Sequence, residues 1–135
     1  MTSTIVYKGD LRTELTHLQS GQVVETDAPT DNQGKGERFS PTDLLATSYG
    51  SCMITTMAIR AADMKLNFEG TKIEITKMMS SDAPRRVAGI KCELFFTKLF
   101  EATAEQKEQL ERIARSCPVE KSLHPDVKLD VTFHW

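Results

Sequence analysis

The stretch SPTDLLATSYGSCMITTMAIRAADM, residues 40–64, decides how this chain folds. Ser40 offers an N-cap oxygen and Pro41 suits the first helical position. Asp43 stands at N3, where a carboxylate meets the positive end of the helix dipole. The predicted helix runs to about Met64. Leu44, Leu45, Tyr49, Cys52, Met53, Ile54, Met57 and Ile59 spread around it, so it is apolar on nearly every side. Such a helix is expected to be central and packed on more than one face. Gly50 in its middle costs roughly 1 kcal/mol relative to Ala, which points to close approach by another backbone. The uncharged run from Leu44 to Ile59 is short of the roughly 20 residues of a membrane span. It also holds Thr47, Ser48, Ser51, Thr55 and Thr56, as a helix buried in protein would.

Outward from the helix the pattern changes period. Before it, Ile5 and Tyr7 alternate with polar neighbours, Lys8-Gly9-Asp10 signals a turn, and Leu11 to Leu18 follows. Ser20-Gly21 then turns into Gln22 to Thr26, so an antiparallel meander is predicted. Asp27 to Ser40 is a long polar loop, a kind that tends to be functional. Its Gly34-Lys35-Gly36 lacks the spacing of a phosphate loop. After the helix, Thr71 to Met79 and Val87 to Thr97 read as two strands joined by a turn at Ser80 to Arg86. The second places Ile90, Cys92, Leu94 and Phe96 on one face.

Thr103 then caps a second helix, with Gln106 completing a capping box. Its apolar stripe is Leu110, Ile113, Ala114 and Cys117. Pro118 cannot continue that helix, so a break is predicted at Ser116-Cys117, with a short new helical turn over Pro118 to Leu123. Val127, Leu129, Val131 and Phe133 finish the chain as a strand. The order defines an α+β fold with a largely antiparallel sheet, in a single domain over residues 1–135.

Composition narrows the function classes. At 135 residues with 39% hydrophobic content, the chain can bury a core without disulfides or a structural metal. A formal net charge of −2 argues against a polyanion-binding protein, so no nucleic-acid partner is expected, and no membrane. Met1 to Lys8 alternates like a strand and lacks the apolar block of a signal peptide, so a soluble, cytoplasmic chain is expected. Three cysteines cannot close a disulfide framework, and without a Cys-x-x-Cys pair no metal site is expected.

Each cysteine has its own setting. Cys92 lies mid-strand between Ile90 and Leu94, where a thiol behaves as a small hydrophobe. Cys117 either finishes the apolar stripe or caps the short helix, where unpaired N–H groups would favour thiolate. Cys52 is core filler by helical periodicity alone. Two cysteines on separate helices could nevertheless meet, and a peroxide-reducing thiol needs such a partner to condense with its sulfenic acid. Their separation of about 65 positions is no obstacle, because disulfide reach depends on folded geometry. His17, His124 and His134 have no motif around them that would make a Cys–His nucleophile. Glu120, just past Cys117, could hydrogen-bond near the site but reads more simply as a solvated helix residue, and Tyr49 reads as pocket wall or core rather than a catalytic acid.

The run from Phe39 to Met53, FSPTDLLATSYGSCM, resembles the central-helix motif of the OsmC/Ohr family of osmotically inducible and organic hydroperoxide resistance proteins. Pro41 precedes Cys52 by eleven positions, the family's spacing. Ser116-Cys-Pro-Val-Glu-Lys-Ser-Leu123 resembles the segment carrying the family's second cysteine. The resemblance implies an intertwined homodimer in which Cys52 is the peroxidatic and Cys117 the resolving thiol. It implies reduction of organic hydroperoxides without a bound cofactor, with electrons from a dithiol reductant such as a lipoyl group. It also implies an arginine that holds the thiolate, matched by Arg12 or Arg38, with Arg12 favoured because a strand positions a guanidinium better than a loop. Thr42 stands where the hydroperoxide reductases usually carry glutamate, and Asp43 matches the acidic residue of the broader OsmC-like branch. Phe39, Tyr49, Met53 and Met57 would form the apolar wall of the substrate pocket. The second reading is a redox-sensing or small-molecule-binding dimer with little peroxidase activity.

Overall fold

A computed structural model describes residues 1–135. The chain forms two compact units, Met1–Leu45 and Ala46–Trp135. The first is a meander of β1 (Ser3–Gly9), β2 (Arg12–His17) and β3 (Val23–Asp27), antiparallel in the order β1-β2-β3. Gly9 pairs with Arg12 across a two-residue turn, and both turn residues, Asp10 and Leu11, have positive φ (50° and 59°). That primed geometry matches the twist of the strands it joins. In the polar loop after β3, Gly34 packs so closely on Ala28 that a Cβ there would lie 1.7 Å from the Ala28 carbonyl oxygen. Close packing, rather than phosphate binding, accounts for this glycine.

The long helix α1 (Pro41–Asp63) begins at the end of the first unit and runs into the second. Its start is a reciprocal cap: the Asp43 carboxylate accepts from the Ser40 N–H at 2.8 Å, and Ser40 Oγ accepts from the Asp43 N–H at 3.1 Å. Its end is set by Lys65 in the left-handed region (φ 58°), which lets the Leu66 N–H return to the Ala61 carbonyl at 2.8 Å.

In the second unit β4 (Lys72–Met79), β5 (Val87–Phe95) and β6 (Lys128–His134) form a sheet in that order. Between β5 and β6 lie α2 (Ala104–Ala114) and α3 (Pro118–Ser122). The predicted Thr103–Gln106 capping box is present at α2. β4 and β5 are antiparallel, whereas β5 and β6 are parallel. Three of the four ladders are thus antiparallel, and the parallel one follows from the chain between 95 and 128. Two helices there make the crossover that parallel pairing requires.

The core gathers Tyr49, Met53 and Met57 of α1, Ile90, Cys92 and Leu94 of β5, and Leu110, Ala114 and Cys117, all fully buried. The buried positions of α1 are Ala46, Tyr49, Gly50, Met53, Met57 and Ala61, one stripe at helical spacing. Burial on more than one face is therefore not found within the chain: Ile59 and Leu45, off that stripe, remain 72% and 42% exposed. The atoms nearest Gly50 belong to side chains rather than to another backbone. A Cβ there would lie 2.6 Å from Ile75 Cδ1 and 3.3 Å from Ile73 Cγ2. No helix is long and apolar enough to cross a membrane.

Candidate active site

In the second unit two thiols are brought together. Cys52, carried by α1 one turn after Tyr49, is partly exposed, and Cys117 is fully buried at the junction of α2 and α3. Cys52 is near enough to act on the Cys117 thiol, and all three cysteines are free thiols. The break before Pro118 makes this possible. α2 ends its apolar stripe in the core, Cys117 adopts extended backbone (φ −65°, ψ 147°), and α3 starts afresh with Pro118 in its first turn. Cys117 thus completes the stripe and also stands at the N-cap position of α3, without a side-chain cap hydrogen bond.

The electrostatics at Cys117 differ from those expected of a helix start. The Glu120 N–H favours the thiolate, although the sulfur makes no full cap hydrogen bond. Burial outweighs it and pushes the thiol up, helped by the neighbouring Cys52 and the Glu120 carboxylate. A five-residue helix has few aligned peptide dipoles to set against the loss of solvent. Cys92 is buried in β5, and desolvation pushes it up to about 11. A thiol of that kind stays protonated near neutral pH and is unreactive, as the strand-filler reading requires.

Two sequence expectations need correction. Glu120 is not a solvated helix residue: its side chain is 17% exposed, and its Oε2 accepts a hydrogen bond from the Tyr49 hydroxyl at 2.9 Å. As N3 of a helix capped by Cys117, it is positioned to face back over the cap, and that spacing is the signal that could have identified it. Such a bond to a charged acceptor is worth about 1.5–3 kcal/mol. Tyr49, Met53 and Met57 do not form an open pocket wall. All three are inaccessible to solvent because they lie on the stripe that α1 buries. Burial pushes the Tyr49 phenol up, and its bond to Glu120 adds to that.

The remaining candidates lie in the first unit. Arg12 on β2 donates through Nε to Asp27 Oδ1 at 2.7 Å, and through Nη2 to Asp27 Oδ2 and Glu37 Oε2, both at 2.8 Å. Asp27 is 1% exposed and also accepts from the Glu37 N–H at 3.1 Å. This fork fixes the plane of the guanidinium. Arg38 is a surface group, paired through Nε with Glu25 at 2.9 Å. Asp43 serves in the α1 cap, the Thr42 hydroxyl lies 3.1 Å from Ser40 Oγ, and Phe39 is exposed on a shallow groove with Val23, Val24 and Arg38.

The Arg12 guanidinium holds the Asp27 carboxyl below its ordinary value of 3.8. A carboxyl depressed in the folded state stabilises the fold above its unfolded value, and that contribution is lost as pH falls through the folded value. Denaturation of the first unit, followed by amide exchange in β2 and β3, should therefore steepen as pH falls below about 4. Asp27→Asn should start less stable at pH 7 and show a flatter acid limb; equal acid limbs would contradict this role.

His17 pairs with Ser20, His124 lies near Asp126, and His134 stacks on Phe95 beside Glu93. No cluster of three or more His, Cys, Asp or Glu is arranged to hold a metal ion. A cavity of about 410 Å³ lined by Phe96, Phe100, Lys107 and Trp135 has neither thiol of the pair in its walls.

A helix laid on a sheet, with a part-exposed thiol set against a buried one at the start of a second helix, defines an α+β protein with a paired-cysteine centre. Residues 34–132 match the OsmC-like protein family, and the chain belongs to that family. It is similar to a structure from Psychrobacter arcticus 273-4, provisionally described as an osmotic stress induced and detoxification response protein. The two are 48% identical over 99% of this chain and 96% of that one, with a TM-score of 0.93. The fold is shared with the organic hydroperoxide resistance protein OsmC of Legionella pneumophila, at 15% identity over 100% and 98% of the two chains and a TM-score of 0.76. It is shared also with the organic hydroperoxide resistance protein OhrB of Bacillus subtilis, at 16% identity over 98% of each chain and a TM-score of 0.69. Among proteins of curated function, none matches the sequence.

Proposed function

We propose that this protein reduces organic hydroperoxides, with Cys52 as the attacking thiol and Cys117 as the resolving one. The observation that carries the reading is a part-exposed Cys52 near a buried, protonation-favouring Cys117. Cys52 is the more exposed of the two, and Cys117 is fully buried. The Cys52 thiolate attacks the outer peroxide oxygen, the O–O bond breaks, and the departing alkoxide takes a proton to leave as alcohol. Cys52 is then a sulfenic acid; Cys117 attacks its sulfur, the S–S bond forms and water departs. A dithiol reductant returns both thiols and becomes a disulfide itself, so no bound cofactor is needed.

The organic class of peroxide rests on family likeness, and two fold relatives are organic hydroperoxide resistance proteins. The buried Tyr49, Met53 and Met57 supply no selecting wall. Of the two candidate arginines we favour Arg12 as the functional one, since Asp27 and Glu37 fix its guanidinium whereas Arg38 is paired at the surface. The intertwined homodimer is supported by apolar side chains left uncovered in one chain, among them Ile5, Tyr7 and Val24 on the meander and Ile59 on α1. Three free thiols suit a reducing compartment such as the cytoplasm.

Intact-mass analysis after one equivalent of an alkyl hydroperoxide tests the reading. The expected product has lost two hydrogens, carries a Cys52–Cys117 bridge, and forms equally in Cys92→Ser. Arg12→Ala should slow its formation more than Arg38→Ala. An unchanged mass after excess peroxide would sink the peroxidase reading in favour of a sensing or binding dimer. Thr42, whose hydroxyl stands where the reductases usually carry a carboxylate, is the feature that favours that second reading.

A further inference from the structure

The bond between Tyr49 and Glu120 lies beside the paired thiols, yet neither residue has a part in attack on a peroxide. We propose that Tyr49 and Glu120 are positioning residues, a brace that holds Cys117 against Cys52 and thereby governs closure of the disulfide without governing the first oxidation. The proposal deepens the paired-thiol reading and rests on it for its chemistry.

The geometry ties the two cysteine-bearing elements together. Tyr49 lies one turn before Cys52 on α1, so its ring and the attacking thiol move as one body. Glu120 stands three residues after Cys117 in α3, so a hold on its carboxylate is a hold on the cap residue. α3 has five residues, too few to be held by its own hydrogen bonds. Around the pair the core is apolar, with Met53, Met57, Ile90, Leu94 and Leu110 fully buried. Apolar burial is non-directional, so by itself it does not fix the rotation of a short helix. The Tyr49–Glu120 bond supplies direction at 2.9 Å, and Lys121 Nζ lies 3.6 Å from the other carboxylate oxygen. The buried Tyr49 hydroxyl needs an acceptor in any case, and the one it has is on the helix that carries the resolving thiol.

In chemical terms, sulfenic acid formation consumes one peroxide at Cys52 and does not involve α3. Closure forms the S–S bond, breaks the S–OH bond and releases water, with the proton coming from the Cys117 thiol. A misplaced Cys117 leaves the sulfenic acid waiting, open to capture by a carbon nucleophile or to further oxidation by a second peroxide.

The test separates the two steps in Tyr49→Phe, Glu120→Ala and Glu120→Gln, each checked by thermal melt. Cumene hydroperoxide is added, the reaction is sampled into dimedone, and intact mass resolves trapped sulfenic acid from disulfide. Tyr49→Phe and Glu120→Ala should oxidise Cys52 within about twofold of the wild-type rate but close the disulfide about tenfold or more slowly, as expected for loss of a bond to a charged acceptor. Glu120→Gln keeps an oxygen that accepts from the phenol and should close within about threefold of wild type. Wild-type closure in Tyr49→Phe, or Gln behaving as Ala, would overturn the brace. A second arm uses diamide, which takes two hydrogens from the thiol pair and builds the same bridge without peroxide. If cumene hydroperoxide oxidises no form of the protein, the hydroperoxide reading falls, and the diamide rates still decide the brace. Should Glu120→Ala not fold, the contrast between Tyr49→Phe and Glu120→Gln decides it.

Discussion

Cys52→Ser is expected to lose hydroperoxide turnover by at least about three orders of magnitude, because serine at neutral pH lacks the thiolate that attacks the O–O bond. Folding should be preserved: a part-exposed position on α1 accepts an oxygen in place of sulfur with little change in volume. The partner substitution gives a different signature. Cys117→Ser should still be oxidised at Cys52, but the sulfenic acid then has no thiol to condense with and advances to sulfinic acid, a gain of two oxygens by mass. Turnover coupled to a dithiol reductant, measured beside intact mass, checks both. Residual turnover in Cys52→Ser near the wild-type level would remove Cys52 from the reaction.

Leu110→Ala is expected to give the largest loss of stability. Leu110 is fully buried on α2, in the same core as Ala114 and Cys117. Truncating it removes the transfer free energy of the lost atoms and leaves a cavity, together about 2–5 kcal/mol. For a chain of this length that corresponds to a fall in melting temperature of roughly 10 °C or more. The consequence extends to chemistry, since α2 delivers Cys117 to the core. A thiol reagent should label Cys117 faster in Leu110→Ala than in the wild type, where the sulfur is inaccessible to solvent. Unchanged melting would mean that α2 contributes little to the core, contrary to its burial.

The elements were legible where local rules act alone. The Thr103–Gln106 capping box, the cap at Ser40 and Asp43, the turn after Gly9 and the break at Pro118 all follow from side-chain chemistry within a few residues. Glu120 and Tyr49 were harder, because a hydrogen bond between residues 71 positions apart leaves no periodic mark. The parallel placement of β6 was not legible either. An alternating strand reads the same in both directions, and its direction is set by the crossover before it.

The sequence by itself determined the kinds of element, their order and which residues could carry thiol chemistry, but not that α1 buries a single stripe. Composition and short-range spacing hold that information, since caps, turns and periodic faces are local. The tertiary structure decided what those residues are for. It set Cys52 against Cys117, buried the Tyr49, Met53 and Met57 that would otherwise read as a pocket wall, and reversed the expected push on the Cys117 thiol. Desolvation depends on everything packed around a group, and no stretch of neighbouring sequence records it.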